Sequence, residues 1–303
     1  MPTTVNVSSN YNGKVAGALF LKAWKESDTL KSGVVTLYPN VNSKLSLRKL
    51  ETTNGRREYT CGHTPAGSIT LAEVAVTPVK FKDDFDICKE TFRATWTSDD
   101  MGASAANDVF SKEILDGIIA SKLAEEASYT DDTIWQGTVL TNGYDGFLTQ
   151  FVDNDDVVFV DGTIISKDNV IDELMKALND VPVALRRKTL NLMVSSDVAQ
   201  AYNFYLIEKG TVNGLGGNAN TELVYGKHRL VEIGGLPANT IVIAETSNLG
   251  FVTGSLEDHN SIQVVDEDSI GLLTGKVRGT MVYNAGVVYV YGPEIVYYRI
   301  PVA

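Results

Sequence analysis

The feature that most constrains this chain is a run of strand-like alternation with too few apolar residues to fold on itself. Between Lys44 and Glu73, Leu45 and Leu47 alternate with polar residues, Asn54-Gly55 supplies a hairpin turn signal, and Ile69 and Leu71 resume the alternation. A two-stranded hairpin is marginal in water unless a sheet or helix lies beneath it. This one is expected either to stay loose or to lie on a partner surface. Its charge points the same way: residues 44–60 hold Lys44, Arg48, Lys49, Arg56 and Arg57 against Glu51 and Glu58, a local +3 in a chain whose net charge is −12. Those five basic residues are candidate contacts with acidic surface, either on the same chain or on a neighbouring copy. Arginine is the better candidate for the key contacts, because its planar fork grips a carboxylate bidentately whereas lysine acts as a point charge. DNA binding is the rival reading of the basic hairpin, and the overall charge argues against a chain whose main task is gripping phosphates.

The asymmetry extends over the whole N-terminal segment, where residues 1–60 carry nine basic side chains against four acidic ones and the rest of the chain carries −17. Residues 1–40 are rich in Ser, Thr, Asn and Gly around one apolar patch, Val15 to Trp24, and read as an extended arm with a local anchor. After the hairpin, Val74 to Ile87 reads as one alternating strand and Cys88 to Trp96 as a short helix. Ser104 to Ser128 reads as the longest helix, with Val109, Phe110, Ile114, Leu115, Ile118, Ile119 and Leu123 at spacings of three and four. Further helices are expected at Lys167–Asn179 and at Ser196–Ile207, the latter with Ser195 or Ser196 as N-cap, and a strand between them at Thr189–Val194. Thr211 to Ala219 reads as a Gly and Asn loop. The last eighty residues read as β: Arg229–Ile233, Thr240–Ala244, Gly250–Thr253, Ser261–Val265 and an aromatic run Val287–Tyr298. Strands and helices mix without a βαβ rhythm, so the fold class is α+β.

With 303 residues, 44% of them hydrophobic, the chain can bury a sizeable core as one elaborated domain or two modest ones. No window approaches 18 consecutive apolar residues, and the polar segment Met1 to Asn10 lacks the features of a signal peptide, so no membrane partner is expected and synthesis in a cytoplasm is. Cys61 and Cys88 form no CxxC and read as free thiols. The spacings of the GxSxG elbow, HExxH, the phosphate loop and the dinucleotide-binding GxGxxG after a strand are all missing. Gly214 to Gly217 reads as a mobile loop, and His63, His228 and His259 stand far apart. Asp153 to Asp156 resembles a cation loop in its carboxylates but has Val158 where an EF-hand needs glycine, so it reads as a solvated turn before a strand at Val157–Val160. No enzyme activity, metal or cofactor is expected.

The order of arm, basic hairpin, long helix, mixed domain and returning C-terminal strands resembles the major capsid proteins of tailed bacteriophages, which share the Hong Kong 97-type fold. The local text is similar too: Trp135-Gln136-Gly137 placed after the long helix and Asp145-Gly146-Phe147-Leu148; then Ile171 to Leu178, Val181-Pro182, Arg186 and Leu192-Met193-Val194-Ser195; then Leu223 to Val242 with Gly226, Val231 and Leu236-Pro237. The resemblance implies an N-arm over 1–38, an E-loop over 39–78, a P-domain with its spine helix over 79–163, an A-domain over 164–275, and C-terminal strands over 276–303 that return to the P-domain. It implies self-association into hexamers and pentamers of an icosahedral head around double-stranded DNA, with weak non-specific DNA contact and with the portal and separate scaffold or decoration proteins as candidate partners. The place implied is the virion, assembled in the host cytoplasm. Some relatives join an E-loop lysine to an asparagine of a neighbour with the help of a buried glutamate; no positions here match, so that activity is not carried over. An encapsulin-type compartment shell is the alternative within the same fold, and a phage enzyme or carbohydrate-binding protein the alternative from another class.

Overall fold

The structure, a computed structural model, describes residues 28–59, 61–62, 65–93, 112–154, 156–210, 223–255, 257–272 and 274–301. In chain order the elements are α1 (Asp28–Lys31), β1 (Thr36–Tyr38), β2 (Leu45–Thr52), β3 (Ile69–Val76), β4 (Val79–Cys88), α2 (Lys89–Arg93) and α3 (Lys112–Gln136), then α4 (Val139–Asn142), α5 (Phe147–Asp153), β5 (Val158–Asp161), α6 (Val170–Asn179), β6 (Asn191–Val194) and α7 (Ser196–Glu208). They are followed by β7 (Leu223–Tyr225), β8 (His228–Glu232), β9 (Ile241–Ala244), β10 (Leu249–Thr253), β11 (Gln263–Asp266), β12 (Lys276–Tyr289) and β13 (Val296–Arg299). The class is α+β, as the sequence reads. The chain forms two compact units, one with residues 80–130 and 254–284, the other with 28–79, 131–253 and 285–303.

In the first unit β11 runs antiparallel to β12, with Gln263 opposite Thr280 and Asp266 opposite Val277, and β4 pairs with β12 as well. The alternation of β4 decides its two faces. Phe85 and Ile87 join Val277 in a small core against Leu115 and Ile118 of α3. Asp84 and Asp86 point the other way, Asp84 accepting the Thr280 hydroxyl at 2.7 Å and Asp86 the Arg278 guanidinium at 3.0 Å. Phe85 lies so close to the strand that a Cβ on Gly279 would stand 2.1 Å from its ring, so only glycine fits there. Lys89, 1% exposed, is held by Asp266 at 2.6 Å and Asp268 at 2.9 Å. Burial alone lowers its pKa, but the two carboxylates outweigh that and leave it above the ordinary lysine value.

The second unit is built on a six-stranded mixed sheet in the order β5-β13-β9-β6-β8-β7. β5 with β13 and β6 with β8 are parallel, and the other pairs are antiparallel. All four residues of β9 are buried, as a central strand requires. Leu174 and Ala177 of α6 and Val198, Ala199 and Tyr202 of α7 pack with Leu192, Val194, Ile241, Ile243, Val296 and Tyr298 of the sheet in one core. Tyr298 places its hydroxyl between Glu173, to which it donates at 2.9 Å, and the Thr163 amide, which it accepts at 2.9 Å. The same unit holds β1 parallel to β10, and β10 antiparallel to residues 285–289 of β12. An aromatic row, Trp135, Phe147 and Phe151, with centroids 5.3 and 6.1 Å apart, fills the space beside α5.

The structure corrects the sequence reading at several boundaries. The long helix reaches Gln136 rather than ending at Ser128, so Trp135 and Gln136 form its last turn instead of following it; the stretch 104–111 lies outside the described residues. Thr77-Pro78 breaks the continuous strand expected over Val74–Ile87 into β3 and β4, since proline supplies no amide to a ladder. Asn54-Gly55 is not the turn of a two-residue hairpin. Pairing ends with Thr52 opposite Ile69, Thr53 and Ser68 close the ladder through the Thr53 amide, and residues 53–68 form a long connection. Asn54 turns the chain only locally, its side chain accepting the Arg56 amide at 2.9 Å. The aromatic run at the C-terminus is two strands, β12 and β13, separated by a 3-10 turn at Gly292–Glu294. Ser195 occupies the N-cap position of α7, but its hydroxyl accepts the Thr240 amide rather than capping the helix. The expected arm residues 1–27, His63 and the loop 211–219 lie outside the described residues.

Candidate assembly surface

The hairpin expected from the sequence exists, as a two-stranded sheet of β2 and β3 that pairs with no other strand among the described residues. Its register sorts the side chains onto two faces. On one, Leu45 lies opposite Val76 and Leu47 opposite Val74, all half-buried, with Lys49 opposite Ala72 nearer the tip. On the other, Ser46 lies opposite Ala75, Arg48 opposite Glu73, Leu50 opposite Leu71, and Thr52 opposite Ile69, and every one of these is exposed. The second face therefore carries an apolar strip, Leu50, Leu71 and Ile69, that is 56, 69 and 80% exposed.

The first face is tied to the second unit's body. Lys49 pairs with Glu51 at 2.7 Å and lies 4.9 Å from the centroid of the Tyr291 ring, while the Tyr291 hydroxyl donates to the Leu50 carbonyl at 3.2 Å. The hydrogen bond to Glu51 holds the Lys49 pKa above its ordinary value, against the opposing effect of burial and with help from the charge of Asp156. Beside this anchor lies a cleft of about 520 Å³ whose lining includes Lys49, Val74, Val76, Asp145, Asp156 and Val288.

The structure does not bring the five basic candidates together. Lys44 is exposed just before β2; Arg48 stands across from Glu73 on the open face; Lys49 is engaged on the opposite face; Arg56 and Arg57 are exposed in the connection at the tip. Sequence reasoning counted the charge of the hairpin and missed its apolar strip, although the signal was present: Leu50 pairs with Leu71 once the register is known, and register is what alternation without a resolved turn leaves open.

A second set of contacts fixes the chain just upstream of β1. Asp131 of α3 is fully buried, accepting the Thr29 amide at 3.1 Å and the Gly235 amide at 2.9 Å. Trp135 donates its indole N–H to the Thr29 hydroxyl at 2.7 Å, and Arg229 donates to the Ser32 carbonyl at 2.9 Å. Burial pushes the Asp131 carboxyl above the usual aspartate value, with the Thr29 and Gly235 hydrogen bonds opposing. Arg186 caps the end of α6, donating to the carbonyls of Val181 at 3.0 Å and Asn179 at 2.6 Å.

Among the described residues no group of three or more His, Cys, Asp and Glu side chains is placed to hold a metal, and no helix is long and apolar enough to cross a membrane. His228 is buried and accepts the Leu190 amide on Nδ1 at 3.1 Å. His259 packs 4.5 Å from the ring centroid of Tyr283. Asn154 accepts the Asp156 amide in a local turn that leads into β5. Cys61 is exposed and Cys88 half-buried, both as free thiols. Among the described residues the hairpin presents an apolar strip, an exposed basic tip and two edges that pair with no further strand.

No sequence-family model matches the chain, and no curated protein sequence does. Solved structures do. The capsid of Myoviridae phage XM1 matches with a TM-score of 0.63 and 12% identity over 95% of this chain and 97% of that one. The capsid of a native GTA particle, computed with C5 symmetry, matches with a TM-score of 0.61 and 12% identity over 96% of both chains. A chain of Mycobacterium phage Che8 matches with a TM-score of 0.56 and 13% identity over 97% of this chain and 98% of that one. The chain therefore has the Hong Kong 97-like capsid fold, an α+β architecture shared from end to end with capsid chains.

Proposed function

We propose that this chain is the major capsid protein of a tailed bacteriophage, which associates with copies of itself into the hexamers and pentamers of an icosahedral head around double-stranded DNA. The observation that carries the proposal is the likeness to capsid chains over nearly the full length of both partners, despite 12 to 14% identity. A domain shared in passing would cover one part of each chain. The likeness supports dividing the chain into an N-arm over 1–38, an E-loop over 39–78, a P-domain over 79–163 with α3 as spine helix, an A-domain over 164–275 and returning strands over 276–303. The chain acts by association, without turning over a substrate, and its place is the virion, after assembly in the host cytoplasm. The portal, a separate scaffold, decoration proteins and weak non-specific contact with DNA complete the proposed partners. An encapsulin-type shell is not favoured, because the similar structures bear the titles of phages and particle capsids.

In this reading the hairpin is the element that reaches a neighbouring subunit, and Lys44, Arg48, Lys49, Arg56 and Arg57 are its proposed charged contacts. The test is electron microscopy and light scattering of the purified full-length chain across protein concentration and salt. Capsomers or closed particles are expected, with nucleic-acid content separating a genome shell from a cargo shell. A folded chain that stays monomeric under every condition would overturn the reading.

A further inference from the structure

We infer that Asn54 is a self-modification site, at which the folded chain deamidates through attack by its own Gly55 backbone nitrogen and so loses charge at the basic tip with age. The inference stands apart from the self-assembly proposed above, since it needs one chain and water. Asn54 is exposed and lies in residues 53–59, outside any helix or ladder. Its side chain is nevertheless placed. The Arg56 amide meets it at 2.9 Å, and because an amide N–H only donates, the atom it meets is the carbonyl oxygen Oδ1. That contact leaves Nδ2 as the outgoing group and sets a donor where negative charge gathers when the Asn54 Cγ is attacked. The nucleophile is open for a separate reason. Gly55 has no side chain to hinder its nitrogen, and across the connection stands Gly67, at φ +87°, where a Cβ would come within 3.0 Å of that nitrogen. A Cβ on Gly55 itself would stand 2.0 Å from the Ala66 carbonyl oxygen, so packing demands glycine at the position that makes Asn54 reactive. Just before Asn54 the chain is pinned, the Thr53 amide donating to the Ser68 carbonyl at 2.9 Å and the Ser68 amide to the Thr53 hydroxyl at 2.6 Å.

The step balances without an oxidant or reductant. The Gly55 N–H gives its proton to hydroxide or water, the nitrogen bonds to the Asn54 Cγ, the Cγ–Nδ2 bond breaks, and Nδ2 takes up a proton and leaves as ammonia. Nucleophile and carbonyl sit on adjacent residues, so the closure is unimolecular. The product is a cyclic imide, which water opens at either carbonyl. One opening gives aspartate; the other gives isoaspartate, with the main chain routed through the former side chain. Either way a carboxylate replaces a neutral amide beside two arginines. Residues 53–59 carry Arg56 and Arg57 against Glu58, 2 − 1 = +1, and the new carboxylate brings them to 0. Three other Asn-Gly pairs occur, at 12–13, 142–143 and 213–214. Asn142 is the last residue of α4 with Gly143 as its left-handed C-cap, so that backbone is held by a helix end. The pairs at 12–13 and 213–214 lie outside the described residues.

The test incubates the full-length wild-type chain and Asn54→Gln at mildly acid and mildly alkaline pH, folded and in guanidinium chloride. Each Asn-Gly peptide is followed by mass spectrometry, and the whole chain by ion-exchange chromatography. Glutamine keeps the amide but needs a larger ring to react, and the position is exposed, so circular dichroism and melting temperature should match the wild type. In the folded wild type Asn54 is expected to become a mixture of aspartate and isoaspartate at least as fast as in the unfolded chain, and about tenfold faster than Asn142 does while folded. The rate should rise with pH, because the attacking nitrogen must lose its proton. A more acidic species should accumulate on ion exchange, and the glutamine variant should lack the part that maps to residue 54. Asn54 left intact in the folded chain, whatever happens on unfolding, would overturn the inference. Aspartate formed without isoaspartate would also overturn it, since direct hydrolysis by water gives aspartate alone and does not use the Gly55 nitrogen.

Discussion

Replacing Asp131 tests whether the segment ahead of β1 is clasped by a buried carboxylate. Both carboxylate oxygens accept backbone amides, Thr29 at 3.1 Å and Gly235 at 2.9 Å, and neither Asp131 nor Thr29 is reached by solvent. Asp131→Ala leaves both amides without an acceptor, at about 1–3 kcal/mol each, while removing the desolvation cost of the carboxylate offsets part of the loss. The expected net cost is about 2–4 kcal/mol, a fall in melting temperature of roughly 3–6 °C for a chain of 303 residues. Asp131→Asn keeps one acceptor oxygen and should cost about half as much. The pH dependence follows from the direction of the shift. The folded-state pKa lies above the unfolded value, so the contribution of Asp131 is fully present below the unfolded pKa and is lost as pH rises through the folded one. The stability gap between wild type and Asp131→Asn should therefore be widest near pH 4 and narrower near pH 7. Urea unfolding followed by circular dichroism at the two pH values measures it. An alanine variant within about 0.5 kcal/mol of wild type, or an asparagine gap that widens with pH, would refute the clasp.

Tyr298→Phe removes the acceptor of the Thr163 amide and the donor to Glu173, and should lower stability by about 1–3 kcal/mol in a urea melt. Gly162→Ala should be at least as damaging to the melting temperature, because its Cβ would stand 1.9 Å from the ring of the fully buried Tyr298. Lys89→Met should cost about 1–3 kcal/mol, less than breaking a fully buried pair, because the Asp266 and Asp268 side chains are 36 and 25% exposed and can be hydrated. Since the folded pKa of Lys89 is raised, its contribution persists to high pH and fades as pH climbs above the ordinary lysine value; an alkaline titration of unfolding should show that loss in the wild type and not in the methionine variant. Ile118→Asp places a charge against the Phe85, Ile87 and Val277 core and should cost several kcal/mol by chemical denaturation, whereas Asp116→Asn on the exposed side of α3 should be nearly neutral.

How much of this was legible in the sequence depended on whether burial follows a periodic apolar pattern. It does in α6 and α7, and both helices lie where Val170, Leu174 and Ala177 or Val198, Ala199 and Tyr202 place them. The end of α3 broke the rule. Thr130, Asp131 and Thr133 are polar yet buried, and Asp131 is accommodated by two amides from distant segments, a pairing that no local window contains. The sheet order was equally out of reach, because β5 and β13 are neighbours from positions some 140 residues apart, Val158 opposite Val296. The candidate surface was half legible. Its charge could be counted, but whether Leu50 and Leu71 shared a face depended on a register set by Thr53 and Ser68 rather than by Asn54-Gly55.

The position of β13 within the six-stranded sheet also governs timing. It lies between β5, to which it is parallel, and β9, to which it is antiparallel. On the ribosome β5 is made early and β9 later, yet neither has its shared neighbour until residues 296–299 have emerged. A nascent chain can close β6, β8 and β9 around α6 and α7, but the interior strand comes last, and Tyr298 with it. Until β13 has been made, the position between β5 and β9 stays empty and the six-stranded sheet cannot close.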